Sequence, residues 1–275
     1  MKAWNVRLYM IIYKTEKEIQ CMREGGKILG KILAQLKEMI KPKVSSMSLE
    51  HEARRLIQKA SAQPAFLNYD AGFMAKFPAA LCISINDEIV HGIPKEDKVF
   101  NEGDVIGIDC GIWYKGMCVD SAITVPCKMV SAIAKKLINT TQEALEQGIN
   151  ACRVGNYLAD ISRSIQDHVQ KNGFFIIKTL VGHGVGTHVH EDPQVPNFFP
   201  FDIKSPHQVG PRLDHGMTLA IEPMVSLSTH YTKEGKDGFA SVTEDGSLAA
   251  HFEHTVAITK TGTIVLTQVY DNLGH

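Results

Sequence analysis

Met22, Gly26, Leu29, Leu33, Leu36 and Ile40 follow a 4-3-4-3-4 spacing that keeps one stripe of a helix turned inward. Thr15, with Glu18 three residues later, predicts a capping box at its start, and Pro42 ends it. A second helix is expected to open near Ser46 or Ser48, carrying Leu49, Ala53, Leu56 and Ile57 on one side. After a strand around Cys82 to Ile85, apolar residues alternate from Val105 to Val125 about Lys115-Gly116, the pattern of a β-hairpin. Another helix pair follows, roughly 131 to 150 and 157 to 171, joined by Arg153-Val154-Gly155-Asn156 with Asn156 as the expected cap. Beyond residue 173, short β-rich runs alternate with Gly, Pro and Asp turns: Phe174 to Thr179, Met217 to Ile221, Phe252 to Ile258 and Ile264 to Val269.

Helix, link, helix, strand thus occurs twice, with Val44 and Val154 in comparable links, a hint of internal duplication. Two helix pairs interleaved with antiparallel strands predict an α+β fold with one curved sheet covered on a single side. No low-complexity linker divides the chain, so one domain is expected over 15–275 behind an N-terminal extension, 1–14. Composition narrows the class: 44% hydrophobic and 21% charged residues exclude a disordered, collagen-like or disulfide-scaffold protein. With 29 Lys plus Arg against 30 Asp plus Glu, the net charge of -1 gives no pull toward nucleic acid or anionic membrane. Six scattered cysteines without a C-x-x-C pair suit a reducing cytoplasm better than a zinc knuckle or disulfide framework. No apolar run reaches the ~18 residues of a membrane span, and Leu8 to Tyr13 is too short for a signal peptide, so a cytoplasmic location is expected.

The hairpin sets Asp109 and Asp120 among apolar residues, where an unpaired charge is costly. If Lys115-Gly116 is the turn, Gly111 faces Asp120 and the two carboxylates become diagonal neighbours ~7 to 8 Å apart. One such Asp is more often held in a turn or salt bridge; two on one face point to shared cations. Downstream, Gly182 to Glu191 combines His183, His188 and His190 with three glycines. On a strand His188 and His190 would share a face that His183 does not, so the pattern leaves open which of them take part. Glu222 and Glu253 lie in strand-like apolar surroundings, where glutamates are uncommon unless paired or metal-bound. Asp109, Asp120, His183, Glu222 and Glu253 form an oxygen-rich set with one imidazole, suited to two divalent ions of the Mn, Fe, Co or Zn kind.

The order Asp, eleven residues to Asp, then His, Glu and Glu resembles the metal signature of the pita-bread metallopeptidases, family M24. Local wording sharpens this. Cys82 to Pro94 (CISINDEIVHGIP), the Gly-Ile-Asp-Cys-Gly hairpin, Gly182 to Gly186 (GHGVG), His190 to Asn197 (HEDPQVPN), Ile221-Glu222-Pro223 and Glu253-His254-Thr255 are similar to type I methionine aminopeptidases. Only 32 residues separate His190 from Glu222, too few for the helical insertion of type II enzymes, and the chain resembles the bacterial form. The resemblance runs from about Thr15 to Thr267 and implies a pita-bread fold with a pseudo-twofold internal duplication. It implies removal of N-terminal methionine from nascent proteins when the second residue is small. Asp109 would chelate one ion, His183 and Glu222 the other, with Asp120 and Glu253 bridging both around a nucleophilic water or hydroxide. Glu222 would move the proton, His190 would bind the carbonyl oxygen and His91 the leaving nitrogen. A monomer making transient ribosome contact is the implied state, although the Lys27, Lys31, Lys37, Lys41, Lys43 run reads more simply as a solvated helix face.

The pocket departs from that pattern. Val189 and Phe239 stand where larger side chains are frequent, Met74 where an aromatic is common, and His251 where Gln is usual, while Phe77 and Cys82 are expected to keep an apolar, partly sulfur-lined wall. By the small-second-residue rule, Lys2, or Ile11 if translation starts at Met10, should keep this chain's own methionine in place. A prolidase or Xaa-Pro aminopeptidase would share the ligands but carries a large N-terminal domain, and only 90 residues precede His91. A metal-free pita-bread binding module would be expected to have lost ligands, and all five are present.

Overall fold

The computed structural model describes residues 10–70, 72, 75–199 and 210–268, and its first element is the capped stripe, α1 (Glu16–Glu38). The Thr15 hydroxyl accepts the Glu18 amide and the Glu18 carboxylate accepts the Thr15 amide, so two donors at the helix start are satisfied reciprocally. Met22, Leu29, Leu33 and Leu36 are fully buried. From Ser45 as cap, α2 (Ser46–Lys59) buries the expected Leu49, Ala53, Leu56 and Ile57.

Five strands follow: β1 (Gln63–Pro64), β2 (Leu81–Ile85), β3 (Glu88–Val90), β4 (Val105–Tyr114) and β5 (Met117–Pro126). Lys115 and Gly116 turn β4 into β5 with φ of 51° and 81°, the doubly left-handed geometry a two-residue hairpin turn demands. The resulting register pairs Gly111 with Asp120, as predicted. The second helix pair is α3 (Ala132–Ala151) and α4 (Leu158–Lys171). Asn156 is not its cap: the cap residue is Tyr157, whose amide is taken by the Asp160 carboxylate, while the Asn156 amide group donates to Ala151 O. The first-turn acid Asp160 thus satisfies the amide at the start of the helix.

The remaining strands are β6 (Phe175–Ile176), β7 (Gly182–Gly184), β8 (Glu191–Val195), β9 (Thr218–Ile221), β10 (Met224–Ser226), β11 (Thr232–Glu234), β12 (Ser241–Thr243), β13 (Ala249–His251), β14 (Glu253–Thr259) and β15 (Gly262–Val265). Val269, expected to close the last strand, lies outside the described residues. The main sheet runs β1-β4-β5-β14-β9-β7-β8, with β2 also on β4 and β15 also on β14. All its pairs are antiparallel. Two small three-stranded sheets, β13-β10-β6 and β11-β12-β3, accompany it. The fold is α+β: a curled antiparallel sheet with two helix pairs, the pita-bread arrangement.

Strand parity decides which side chains meet the helices. A Cβ built on Gly25 of α1 lies 3.5 Å from Val119, and one on Gly148 of α3 lies 3.2 Å from Ile221. Asp120 and Glu222, each one residue further on, therefore rise from the opposite face. Among the described residues no helix is long and apolar enough to cross a membrane.

Candidate metal centre

Three adjacent strands of the sheet lay their acids side by side. Asp109 and Glu253 pair with Ala122 from its two flanks, and Asp120 sits two residues along the same strand opposite Gly111. His183 pairs with Ala220, with Glu222 two residues beyond it, just past the end of β9. Cross-strand partners project to the same face, and the small alanines between the acids leave the volume that carboxylates and imidazole converge on. Ligand atoms of Asp120, His183 and Glu253 lie within 4.8 Å of one another. The His183 ring sits with Nε2 3.5 Å from Glu222 Oε1, and Asp109 and Asp120 are in hydrogen-bonding reach of each other. His183 Nδ1 meets Gly184 O at 2.8 Å, which makes Nδ1 the protonated nitrogen and leaves the Nε2 lone pair facing the acids.

The electrostatics of this cluster call for cations. Asp109 Oδ1, Asp120 Oδ1 and Glu253 Oε1 are buried without a hydrogen-bond partner. Burial first, then neighbouring carboxylates, hold the Asp109 and Glu253 carboxyls well above their ordinary range. Burial and Asp120 do the same to Glu222. Burial pushes Asp120 up to about 7 against the amide of Ser121, which favours its ionised form. His183 is pushed down to about 3, mainly by burial and secondarily by His190, so its ring is a neutral donor ready for a metal. Orphaned oxygens and one free imidazole nitrogen fit divalent cations of the oxygen- and nitrogen-loving kind, which would replace the protons that otherwise keep the acids together.

A cavity of about 690 Å³ opens above the acids. All five acid and imidazole candidates line it, with His91, His190, Phe77 and Cys82 from the expected set. His91 follows β3 with φ of 61°, and burial lowers its ring to about 4. His190 meets the Tyr69 hydroxyl through Nδ1 at 2.7 Å and packs edge-on against His183, ring centres 4.4 Å apart. The strand parity expected of the histidines does not hold. Residues 185–190 form a loop between β7 and β8, and it brings His190 beside His183 while the His188 side chain is 70% exposed. Val189 is buried in the hydrophobic core and is not among the residues lining the cavity. Phe239 packs edge-on against Phe77 at 5.7 Å, behind the wall, and is not a lining residue either. Met74 lies outside the described residues. His251 is buried with Nε2 3.5 Å from Glu222 Oε2, and burial pushes its ring down to about 3. Phe66 and Tyr69, which no motif marks, and Glu191 also line the cavity. Glu191 belongs to the His190 to Asn197 motif, but nothing in its spacing marks it as buried.

Residues 20–260 match metallopeptidase family M24. A methionine aminopeptidase of Aquifex aeolicus is 47% identical over 256 residues, covering 93% of this chain and 98% of the relative. The crystal structure of a methionine aminopeptidase from Thermotoga maritima superposes with a TM-score of 0.87 at 39% identity, covering 94% of this chain and all of that one. An Xaa-Pro dipeptidase from Bacillus anthracis shares the fold alone, with a TM-score of 0.72 at 22% identity, and this chain spans 64% of its length.

Proposed function

Since the chain belongs to metallopeptidase family M24, and within it to the methionine aminopeptidases, we propose that it releases N-terminal methionine by metal-assisted hydrolysis of the first peptide bond. The observation that carries this reading is the convergence of Asp120, His183 and Glu253 ligand atoms within 4.8 Å, with carboxylate oxygens beside them that have no other partner. Asp109, Asp120, His183, Glu222 and Glu253 would hold two divalent ions, of cobalt, manganese, iron or zinc. When bound, such ions polarise a carbonyl and acidify a water.

The chain's own residues supply the rest. Glu222, with a carboxyl that holds a proton readily, accepts the proton of the attacking water and passes it to the leaving amide nitrogen. Tyr69 takes up Nδ1 of His190, so that Nε2–H is the donor offered to the carbonyl oxygen as it becomes an oxyanion. His91, a neutral ring at the cavity wall, receives a hydrogen bond from the scissile nitrogen. Phe66, Phe77 and Cys82 give the methionine side chain an apolar, polarizable wall. Substrates are nascent or free chains with a small second residue. A monomeric cytoplasmic enzyme meeting chains at the ribosome, with residues 15–275 as one catalytic domain, fits this role.

Hydrolysis of Met-Ala-Ser and Ala-Pro-Ala by metal-depleted and manganese-reloaded protein tests the reading. Metal-dependent cleavage of Met-Ala-Ser alone is expected. Preference for Ala-Pro-Ala, or full activity after exhaustive chelation, would refute it.

A further inference from the structure

Lys14 is a buried cation far in sequence from the acids. Its side chain is 1% exposed, and its ammonium contacts Glu191 Oε2 and donates to Ile12 O at 2.9 Å. The other Glu191 oxygen accepts three donors of the neighbouring loop: Thr187 N at 2.6 Å, Thr187 Oγ1 at 2.8 Å and His188 N at 3.0 Å. Glu191 thus ties 187–188 to the arm formed by residues 10–14. The arm is itself pinned, since Lys14 N donates to Gly216 O at 2.7 Å and Met10 N to Asp192 Oδ2 at 3.1 Å. The contact is close enough to shape the loop backbone: Gly186, at φ 149°, would set a Cβ only 2.4 Å from Lys14 Cε. His190, between these tied residues and Glu191 itself, stands against His183 and Tyr69.

A buried ion pair is a poor device for stability alone, because well-packed apolar side chains in its place often do as well or better. What it adds is directional and exact attachment. Here one carboxylate joins a loop that has little ladder pairing of its own to the arm leading into α1. Burial lowers the Lys14 ammonium from its ordinary range while Glu191 opposes that shift, as expected of a charge kept for its partner.

We propose that Lys14 is a positioning residue: through Glu191 it locks loop 185–190 so that His190 is held toward the metal centre, making the arm 10–14 a working part of the active site. The inference rests on the reading of His190 as the residue that contacts the substrate carbonyl. Lys14→Met, His190→Ala and the double variant, all manganese-loaded and full length, test it on Met-Ala-Ser. Lys14→Met should lower kcat about 10- to 100-fold while KM and manganese affinity by calorimetry stay within about threefold. In the His190→Ala background the same change should cost nothing further in kcat, because the group it positions is gone. A purely structural Lys14 would give equal losses in both backgrounds, or a parallel loss of metal affinity, and either overturns the proposal. Should Lys14→Met fail to fold, Lys14→Arg carries the test. It keeps the charge but not the compact ammonium geometry, so a smaller kcat loss of about two- to tenfold, again absent beside His190→Ala, is expected. Wild-type kcat in Lys14→Met with a crippled His190→Ala defeats the positioning role alone. Wild-type kcat in His190→Ala defeats the reading beneath it as well.

Discussion

The floor and the wall of the cavity are built by different means. On the floor, Asp109, Asp120 and Glu253 are placed by antiparallel register around Ala122, and their position follows once the ladders of β4, β5 and β14 close. Along the wall, Tyr69, His91 and His190 stand on turns and loops, held by a left-handed backbone at His91 and by side-chain contacts such as Tyr69 with His190. A ladder repeats every two residues and cannot shift by one without turning every side chain to the other face, so the floor is rigid. The wall depends on a few specific attachments. Loss of a floor residue should therefore remove metal and chemistry together, whereas loss of a wall residue should leave metal bound and impair only substrate handling.

The largest effect is expected at the floor. Asp120→Asn and Glu253→Gln should each reduce turnover of Met-Ala-Ser by more than about 10³-fold and lower bound metal, measured by elemental analysis after gel filtration. Full metal content with full turnover in either variant would erase the distinction drawn above. Next comes the wall: His190→Ala should cost about 10² to 10³ in kcat, the value of an oxyanion donor, at unchanged metal content. If it loses metal as the floor variants do, wall and floor are one unit.

A smaller effect concerns protons. Asp120 holds its proton up to about 7 in the metal-free fold, so metal binding must displace it and should tighten about tenfold per pH unit for each proton released below that value. Calorimetry in buffers of different ionisation enthalpy reads the proton count, and pH-independent metal affinity between pH 6 and 7 would contradict the raised value. The same shift has a sign for stability. A carboxyl raised in the fold stabilises fully below the unfolded carboxylate value and loses that contribution as pH rises through about 7. His91 and His183, lowered to about 4 and about 3, act in the opposite sense and only below the unfolded histidine value, near 6.5. Between pH 6.5 and about 7 the metal-free protein should therefore lose Tm as pH rises, and Asp120→Asn should reduce that slope.

The smallest contrast lies within the pocket. Phe77→Ala removes a lining ring and should lower kcat/KM for Met-Ala-Ser more than for its alanine-initiated counterpart. Val189→Phe overfills the core and should cost about 1 to 3 kcal/mol of stability by denaturant unfolding, with the ratio of methionine to leucine cleavage unchanged. A changed ratio would place Val189 in contact with substrate after all.

Much of the fold is legible in the sequence. Periodicity of 3.6 and of 2 located the four helices and the hairpin, and the Lys115-Gly116 turn alone set the register that makes Asp109 and Asp120 diagonal neighbours. These are local patterns, in which each residue's role follows from neighbours a few positions away. The cap falls at Tyr157 and not at Asn156, because the Asn156 amide group donates back to Ala151 O while the Asp160 carboxylate takes the Tyr157 amide. The shared face expected of His188 and His190 does not form because the chain makes a loop there, and parity carries no information in a loop.

What the sequence determined by itself is the set of chemical groups and their order: acids embedded in apolar strands, which the cost of burying unpaired charge makes conspicuous. Tertiary structure alone decided which partners hold the loop groups of the site. Lys14 meets Glu191 across 177 positions, and Tyr69 meets His190 across 121. Neither pair has a spacing to betray it, because contacts of that separation are fixed by how the sheet curls and the arm crosses it, and not by any local repeat.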